Sequence, residues 1–452
     1  MRAAASTAVL ALCIAATGLG LAPAAHAGND DSVLIGDEAV LSGGAVTATV
    51  KTGAALWYNP AGLSRVSRDT VDVSGTAYAL RLYRVPRLVE LYGGEKADGR
   101  MNEVLVIPTA LTYVRAFGKA RVGLGVFVVD SENMKLRSHL VAFKPQLGLT
   151  NEWLLAIEAK SQQYRAVLGA AWRPSARLSV GFSFQGVYQA SSGSAVFAGG
   201  FNDGTVNSTS PGFVSFATQL SETGIGLALS LGVQWEPVDD LFIGASVQSP
   251  VLLIYSSASE SSSLGNAFVN QGIGVFDTSD TTNSDATLDI VVPTRLRLGV
   301  AYEYKAVSFS VEADIQHKLR NEAFQVDRRF LWNLRAGLQG RVSSTMTLGG
   351  GFFTDRSPEQ PARTLGAADV DFYGFSLGLS YLKDRRLDST TEKRDRLTFG
   401  STFGLRYAYG KGDFGGAALS DTFADFNDLI REGPRRATIH EIALYLGTSF
   451  LF

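Results

Sequence analysis

The chain has 452 residues, with 41 Lys and Arg against 43 Asp and Glu and a formal net charge of −2. That balance excludes a nucleic-acid surface, which needs a basic excess. The single cysteine, Cys13, excludes disulfide staples, and the lack of an uncharged run of 18 apolar residues after residue 27 excludes helical membrane spans. The 48 glycines, 26 phenylalanines and 15 tyrosines, against 4 methionines, instead suit a large β structure, either a secreted β protein or an outer-membrane barrel.

Residues 1–27 read as a secretory signal. Arg2 is the only charge, the apolar run Ala8–Leu21 is short for a membrane span, and Ala25-His26-Ala27 has the small-x-small cleavage form. Residues 28–67 follow as a separate segment. Val33, Leu34, Ile35 and Ala39–Leu41 predict a short helix with Asp37 at its cap, broken by Gly43-Gly44. This is too little to fold alone, so it must pack on something else. Asn59-Pro60-Ala61-Gly62 has the composition of a turn: Asn suits the first position, Pro fixes φ at the second and Gly suits the fourth.

From Thr70 the period changes to two. Leu178, Val180, Phe182, Phe184 and Tyr188 share a face opposite Ser179, Gly181, Ser183 and Gln185. Ile225, Leu227, Leu229, Leu231, Val233 and Trp235 alternate with Gly226, Ala228, Ser230, Gly232 and Gln234. Val307, Phe309 and Val311 alternate with Ser308, Ser310 and Glu312. Fourteen such strands are placed near 70–83, 104–117, 121–130, 158–173, 177–190, 218–235, 240–255, 286–304, 306–316, 329–340, 344–354, 370–383, 395–409 and 437–452. The fourth is ambiguous, because 151–166 also reads as a helix. Long connections (84–103, 131–157, 191–217, 256–285, 317–328, 355–369, 410–436) alternate with mostly short ones. Several apolar faces end in Trp or Tyr, as at Trp172, Trp235, Tyr304 and Tyr409. A soluble sandwich also alternates, but its strands are shorter and its outer faces polar. The pattern therefore predicts an all-β fold: a 14-stranded antiparallel transmembrane β-barrel over residues 68–452, plugged by the small 28–67 segment as an N-terminal hatch. Glycines on the inward faces fit crowding beside that plug.

Signals for chemistry are sparse. His139, His317 and His440 are dispersed, no Gly-x-Ser-x-Gly elbow precedes a helix, and no metal or cofactor site is expected. Asp277–Asp285 reads as a solvated polar loop. An outer-membrane hydrolase remains a distant alternative. Inward charges at Arg295, Arg297, Glu303, Glu312, Asp314, Arg335 and Arg406 have two readings. Either they form a network that holds the plug, or some of the arginines meet an anionic head group, since guanidinium pairs bidentately with carboxylate.

The order signal, short Gly- and Ala-rich segment (Ser42–Ala48), Asn59-Pro60-Ala61-Gly62-Leu63 and then fourteen strands resembles the FadL-type outer-membrane transporters of long-chain fatty acids, a family that also includes aromatic-hydrocarbon channels. Here Lys51-Thr52 precede the motif where the family often carries acidic residues. The resemblance implies a monomer in the bacterial outer membrane that passively imports hydrophobic molecules, long-chain fatty acids foremost and aromatic hydrocarbons as the alternative. It implies capture outside, among lipopolysaccharide, then a pocket above the hatch, a hatch shift and lateral exit through a kinked strand. Leu140, Phe143, Leu147 and Trp153 in one long loop, and Phe197, Phe201 and Phe213 in the next, are the capture candidates. Asn59-Pro60-Ala61 should anchor the hatch to the wall near the first strands. Phe452 resembles the C-terminal aromatic signal read by the outer-membrane assembly machinery.

Overall fold

The computed structural model describes residues 33–91, 96–144, 149–202, 211–268, 273–285, 288–322, 326–359, 368–386, 396–419 and 430–452. The signal stretch 1–27 and Leu147 lie outside these residues. Fourteen wall strands follow in chain order: β1 (Thr70–Leu91), β2 (Lys96–Phe117), β3 (Ala120–Lys144), β4 (Leu149–Ser175), β5 (Leu178–Asn202) and β6 (Pro211–Val238). β7 has two parts, Leu241–Gln248 and Val251–Phe268, and β8 has three, Ile273–Asp285, Asp289–Val292 and Arg295–Tyr304. Then come β9 (Val307–Gln316), β10 (Leu331–Arg341), β11 (Met346–Asp355), β12 (Ala368–Arg386), β13 (Arg396–Leu419) and β14 (Ile430–Leu451). Each pairs antiparallel with the next. β14 returns to β1, Thr70 opposite Leu451 and Arg84 opposite Thr438, which closes the barrel. Closure removes the sheet edges that would otherwise lie unpaired in lipid.

The alternation sets the faces. Phe182, Phe184, Leu229, Leu231, Phe309, Val311, Leu377 and Leu444 are exposed outward, while Ser183, Gln185, Ser230, Gln234, Glu312 and Ser376 are buried inward. Trp172, Trp235 and Tyr304 end the apolar band at the rim of the tight turns. Those turns need left-handed backbone, supplied at Gly118 (φ 57°), Asp240 (φ 67°) and Lys305 (φ 55°). Phe452 is exposed beside this rim, its N–H donating to the Asp69 carbonyl at 2.9 Å.

Several connections expected to be loops are strand. β3 and β4 pair without interruption from Asp130–Gln163 to Lys144–Leu149, across the stretch read as loop 131–157 and as a helix over 151–166. β5 and β6 pair out to Asn202 and Pro211. Asp277–Asp285, expected as a polar loop, lies on β8. The physical reason is that a ladder above the bilayer no longer needs an apolar outer face. On β3, Lys135, Arg137 and His139 point out, while Met134, Leu136 and Leu140 point in. The alternation continues with its polarity inverted, so it ceases to look like a membrane strand.

Candidate functional site: the lumen and its N-terminal segment

Residues 33–66 lie inside the barrel. The segment is built from α1 (Asp37–Leu41), α2 (Ala55–Tyr58) and a 3-10 helix (Pro60–Arg65). Gly43 and Gly44, with φ of 63° and 85°, turn the chain after α1. The expected cap at Asp37 is not formed: Gly36 is the N-cap, and Asp37 lies in the first helical turn. Its carboxylate instead accepts from the Tyr445 hydroxyl at 2.9 Å. Glu38 accepts from the Lys51 N–H and the Thr52 hydroxyl, each at 3.1 Å. Burial pushes both carboxyls above the usual range.

Asn59 is completely buried. Its side-chain amide donates to the Thr47 carbonyl at 2.8 Å and the Val233 carbonyl at 3.0 Å, and its oxygen accepts from the Ala61 N–H at 3.2 Å. It thus caps the 3-10 helix, ties the segment to itself and ties it to the wall. Pro60 can occupy the first helical position because no N–H is needed there. The wall that receives the motif is β5 and β6, not the first strands. A Cβ on Gly181 would sit 2.5 Å from the Pro60 carbonyl carbon, and one on Gly232 would sit 2.9 Å from Pro60 Cδ. The sequence order of motif and first strand does not set this contact; the path of the segment across the lumen does.

Close approach recurs around the wall. A Cβ added at Gly337 or Gly351 would sit 2.5 Å from the Ser42 carbonyl oxygen, one at Gly244 would sit 2.6 Å from Ala48 Cα, and one at Gly169 would sit 2.6 Å from a Leu56 methyl. Inward glycine therefore makes room for the segment, as crowding predicts. On β8–β10 the contacts are ionic. Glu312 accepts from the N–H groups of Val46 and Thr47 at 2.9 and 2.8 Å and from Arg335 Nη1 at 2.8 Å. Arg295 Nε donates to Asp314 at 2.8 Å, and Arg335 Nη2 reaches the same carboxylate at 3.1 Å. Arg297 Nη1 donates to the Trp57 carbonyl at 2.9 Å. The guanidiniums of Arg165 and Arg297 lie 4.9 and 5.1 Å from the Trp57 ring centre. Arg406 pairs with Glu441 and lies 4.5 Å from the Phe353 ring centre. So the four arginines read as head-group candidates are set against wall carboxylates, and Arg297 also against the segment.

Further up the lumen the lining turns apolar. Tyr83, Met101, Met134, Leu136, Leu140, Trp153, Leu155, Ile157, Phe353 and Phe414 belong to one buried cluster spanning β1–β4 and β11–β14. Leu140 and Trp153, expected on a capture loop, face each other across the β3–β4 ladder within it. Phe143, Phe197, Phe201 and Phe213 are on strand backbone, but their side chains lie outside the described residues. Sequence reading missed Met101, Met134, Leu136 and Phe414. Their signal was the inverted alternation, charged outward and apolar inward.

Below this layer the wall is unzipped. β2 and β3 pair from Ala110–Phe127 to Phe117–Ala120 and again at Arg100–Arg137; between these points no β2–β3 ladder joins residues 101–109 to 128–136. Pro108 has no N–H to give to a ladder, and β3 bulges between Val128 and Asp130. Side chains bridge the seam instead. The Lys135 N–H lies 2.6 Å from Met101 Sδ, and the Tyr83 hydroxyl donates to Glu132 at 3.3 Å. A cavity of about 20 Å³ behind it, lined by Val33, Ile107, Arg81 and Tyr445 among others, has room for water. The histidines stay apart: His139 meets Glu152 at 2.6 Å, His317 its neighbour's carbonyl at 2.8 Å, and His440 the Tyr407 hydroxyl at 2.9 Å.

No family model matches the chain, and no curated protein matches it. Solved structures do. A FadL homologue from Pseudomonas aeruginosa superposes with a TM-score of 0.59 over 94% of this chain and 100% of its own, at 12% identity. The fold is the FadL-type fold. The Pseudomonas putida toluene transporter TodX gives 0.56 at 14% identity, covering 92% of this chain and 98% of its own. The monoaromatic hydrocarbon channel CymD gives 0.53 at 14% identity, covering 92% and 97%. A FadL-type barrel with an apolar outer band fits a bacterial outer membrane.

Proposed function

We propose that the protein is a passive outer-membrane channel for hydrophobic small molecules, with residues 33–66 as its hatch. The observation that carries this reading is the apolar upper lumen leading to an unzipped wall seam above a lumen-filling segment. Apolar molecules are blocked outside by lipopolysaccharide and gain by entering such a layer. Leu140 and Trp153, with Phe143, Leu147, Phe197, Phe201 and Phe213, form the capture region. Movement of the hatch opens the way to the seam, and the cargo leaves sideways into the membrane. The arginine–carboxylate network at Arg295, Arg297 and Arg335 holds the hatch rather than the cargo, because those guanidiniums already meet Asp314, Glu312 and the Trp57 carbonyl. Arg406, paired with Glu441 on the wall, belongs to the frame of the lumen. The channel acts as a monomer without a cofactor. Long-chain fatty acids follow from the motif resemblance. Aromatic hydrocarbons are the second reading, supported by neighbours whose structures are described as toluene and monoaromatic hydrocarbon channels. Uptake of labelled oleate and toluene by cells with and without the protein tests the channel. No protein-dependent uptake of either would refute it.

A further inference from the structure

The seam between β2 and β3 is framed by carboxylates. Glu103 on β2 lies directly opposite Arg81 on β1, and Arg81 lies opposite Glu441 on β14. Arg81 Nε donates to Glu441 at 2.6 Å, and Arg406 pairs with the same carboxylate. From the far side of the seam, Glu132 takes the Tyr83 hydroxyl and Asp130 accepts from the Ser161 hydroxyl at 3.2 Å. Arg81 Nη1 reaches over to the Ser131 carbonyl at 3.5 Å. Glu103, Asp130 and Glu132 all act on the Arg81 charge. The frame thus holds four carboxylates (Glu103, Asp130, Glu132, Glu441) and two guanidiniums, both of which are bonded to Glu441.

Glu103 is the independent sign that the frame is built for passage. It is only 6% exposed; Arg81 lies beside it on the paired strand β1, the Asn133 N–H is its one donor from across the seam, and neither oxygen makes a well-formed hydrogen bond. A buried carboxylate so poorly satisfied is costly to a fold, so a purely structural role gives no reason to keep it. Around it the seam is apolar, with Leu105, Ile107, Val128 and Tyr164 packed together and Met101 joining the upper layer.

We propose that this seam is a charge filter. It favours uncharged hydrophobic molecules, a fatty acid in its protonated form among them, over those that carry an ionised carboxylate, and Glu103, Asp130 and Glu132 determine that preference. The inference rests on the channel reading. An uncharged chain or ring meets Leu105, Ile107 and Val128 and loses nothing to the acids. A carboxylate meets net negative charge in a desolvated gap, with both nearby guanidiniums already engaged. Even with one acid protonated, the frame offers that carboxylate no cation outside an existing pair.

The test compares oleate with oleyl alcohol, which share a chain and differ in head group. Initial uptake is measured in cells expressing the full chain and in cells without it. The protein-dependent rate for the alcohol should exceed that for oleate by about tenfold, the effect of one uncompensated like charge at roughly 10 Å in an effective dielectric of about 20. Glu103→Gln with Glu132→Gln, checked for assembly by its heat-modifiable gel mobility, should bring the ratio to within about threefold, since it removes two of the acidic side chains that set the negative potential of the gap. If that pair fails to assemble, Asp130→Asn with Glu103→Gln makes the same comparison. Equal rates for oleate and the alcohol, or an unchanged ratio in an assembled variant, would overturn the filter while leaving the channel standing. Uptake of neither would overturn the channel reading and the filter with it.

Discussion

Replacing Gly181 with Ala isolates the docking of the N-terminal segment from the stability of the barrel. The new Cβ would lie 2.5 Å from both the carbonyl carbon and oxygen of Pro60 and 2.6 Å from the Ala61 nitrogen. All three are backbone atoms, so no rotamer change relieves the contact. The segment must retreat by about 1 Å, and such overpacking costs about 1–3 kcal/mol. That retreat also strains the bond from Asn59 to the Val233 carbonyl, 3.0 Å in length, which runs from the same turn to the neighbouring strand. Its loss adds about 1 kcal/mol. The docked state is then weakened by about 2–4 kcal/mol, which raises the undocked fraction roughly 30- to 1,000-fold. Gly193→Ala is the matched control. It lies on the same strand and, by parity, the same face, yet its nearest neighbour, the Glu158 carbonyl oxygen, is 3.9 Å away. Conductance in planar bilayers should rise and become noisy for Gly181→Ala and stay at the wild-type level for Gly193→Ala. Both barrels should show the usual mobility shift on heating. Equal conductance in the two variants would mean that wall contact at Pro60 does not hold the segment, and the reasoning would fail.

Asn59→Ala removes three hydrogen bonds, at about 1 kcal/mol each, so docking should weaken by about 2–3 kcal/mol while the barrel still assembles; a barrel lost from the membrane fraction would assign the residue to assembly instead. Glu312→Ala strips the acceptor from Val46, Thr47 and Arg335 and should cost about 3–5 kcal/mol, read as a lower temperature for the gel mobility shift. Burial raises the carboxyls of Asp37 and Glu38, so the docked segment favours their protonated forms. Docking should therefore strengthen as pH falls through the raised values and weaken as pH rises. Conductance should be lower near about pH 5 than near about pH 8, and the Asp37→Asn, Glu38→Gln variant should flatten that difference. Met134→Asp places a charge in the apolar upper layer and should cut uptake of a neutral hydrocarbon by about tenfold or more, without loss of the folded gel form.

The wall of this protein was legible from its residues alone. Alternation is a local property: one residue decides a face, and Leu229, Leu231 and Val233 set against Ser230, Gly232 and Gln234 report lipid on one side and a crowded lumen on the other. Inward glycines such as Gly181 and Gly337 recorded the presence of something packed against the wall. The reach of β3 and β4 was hidden, because above the bilayer Lys135 and Arg137 face out and the apolar signal inverts. Three further features belong to the tertiary structure. The place where Asn59 and Pro60 dock, β5 and β6, depends on how a short segment crosses a wide lumen. The partner of Asp37, Tyr445, is more than four hundred residues away in the chain. The seam exists because two strands that pair at both ends fail to pair between them, with Glu103 brought opposite Arg81 and Glu132 under Tyr83. Pairing is a relation between strands, so no single strand's sequence contains it.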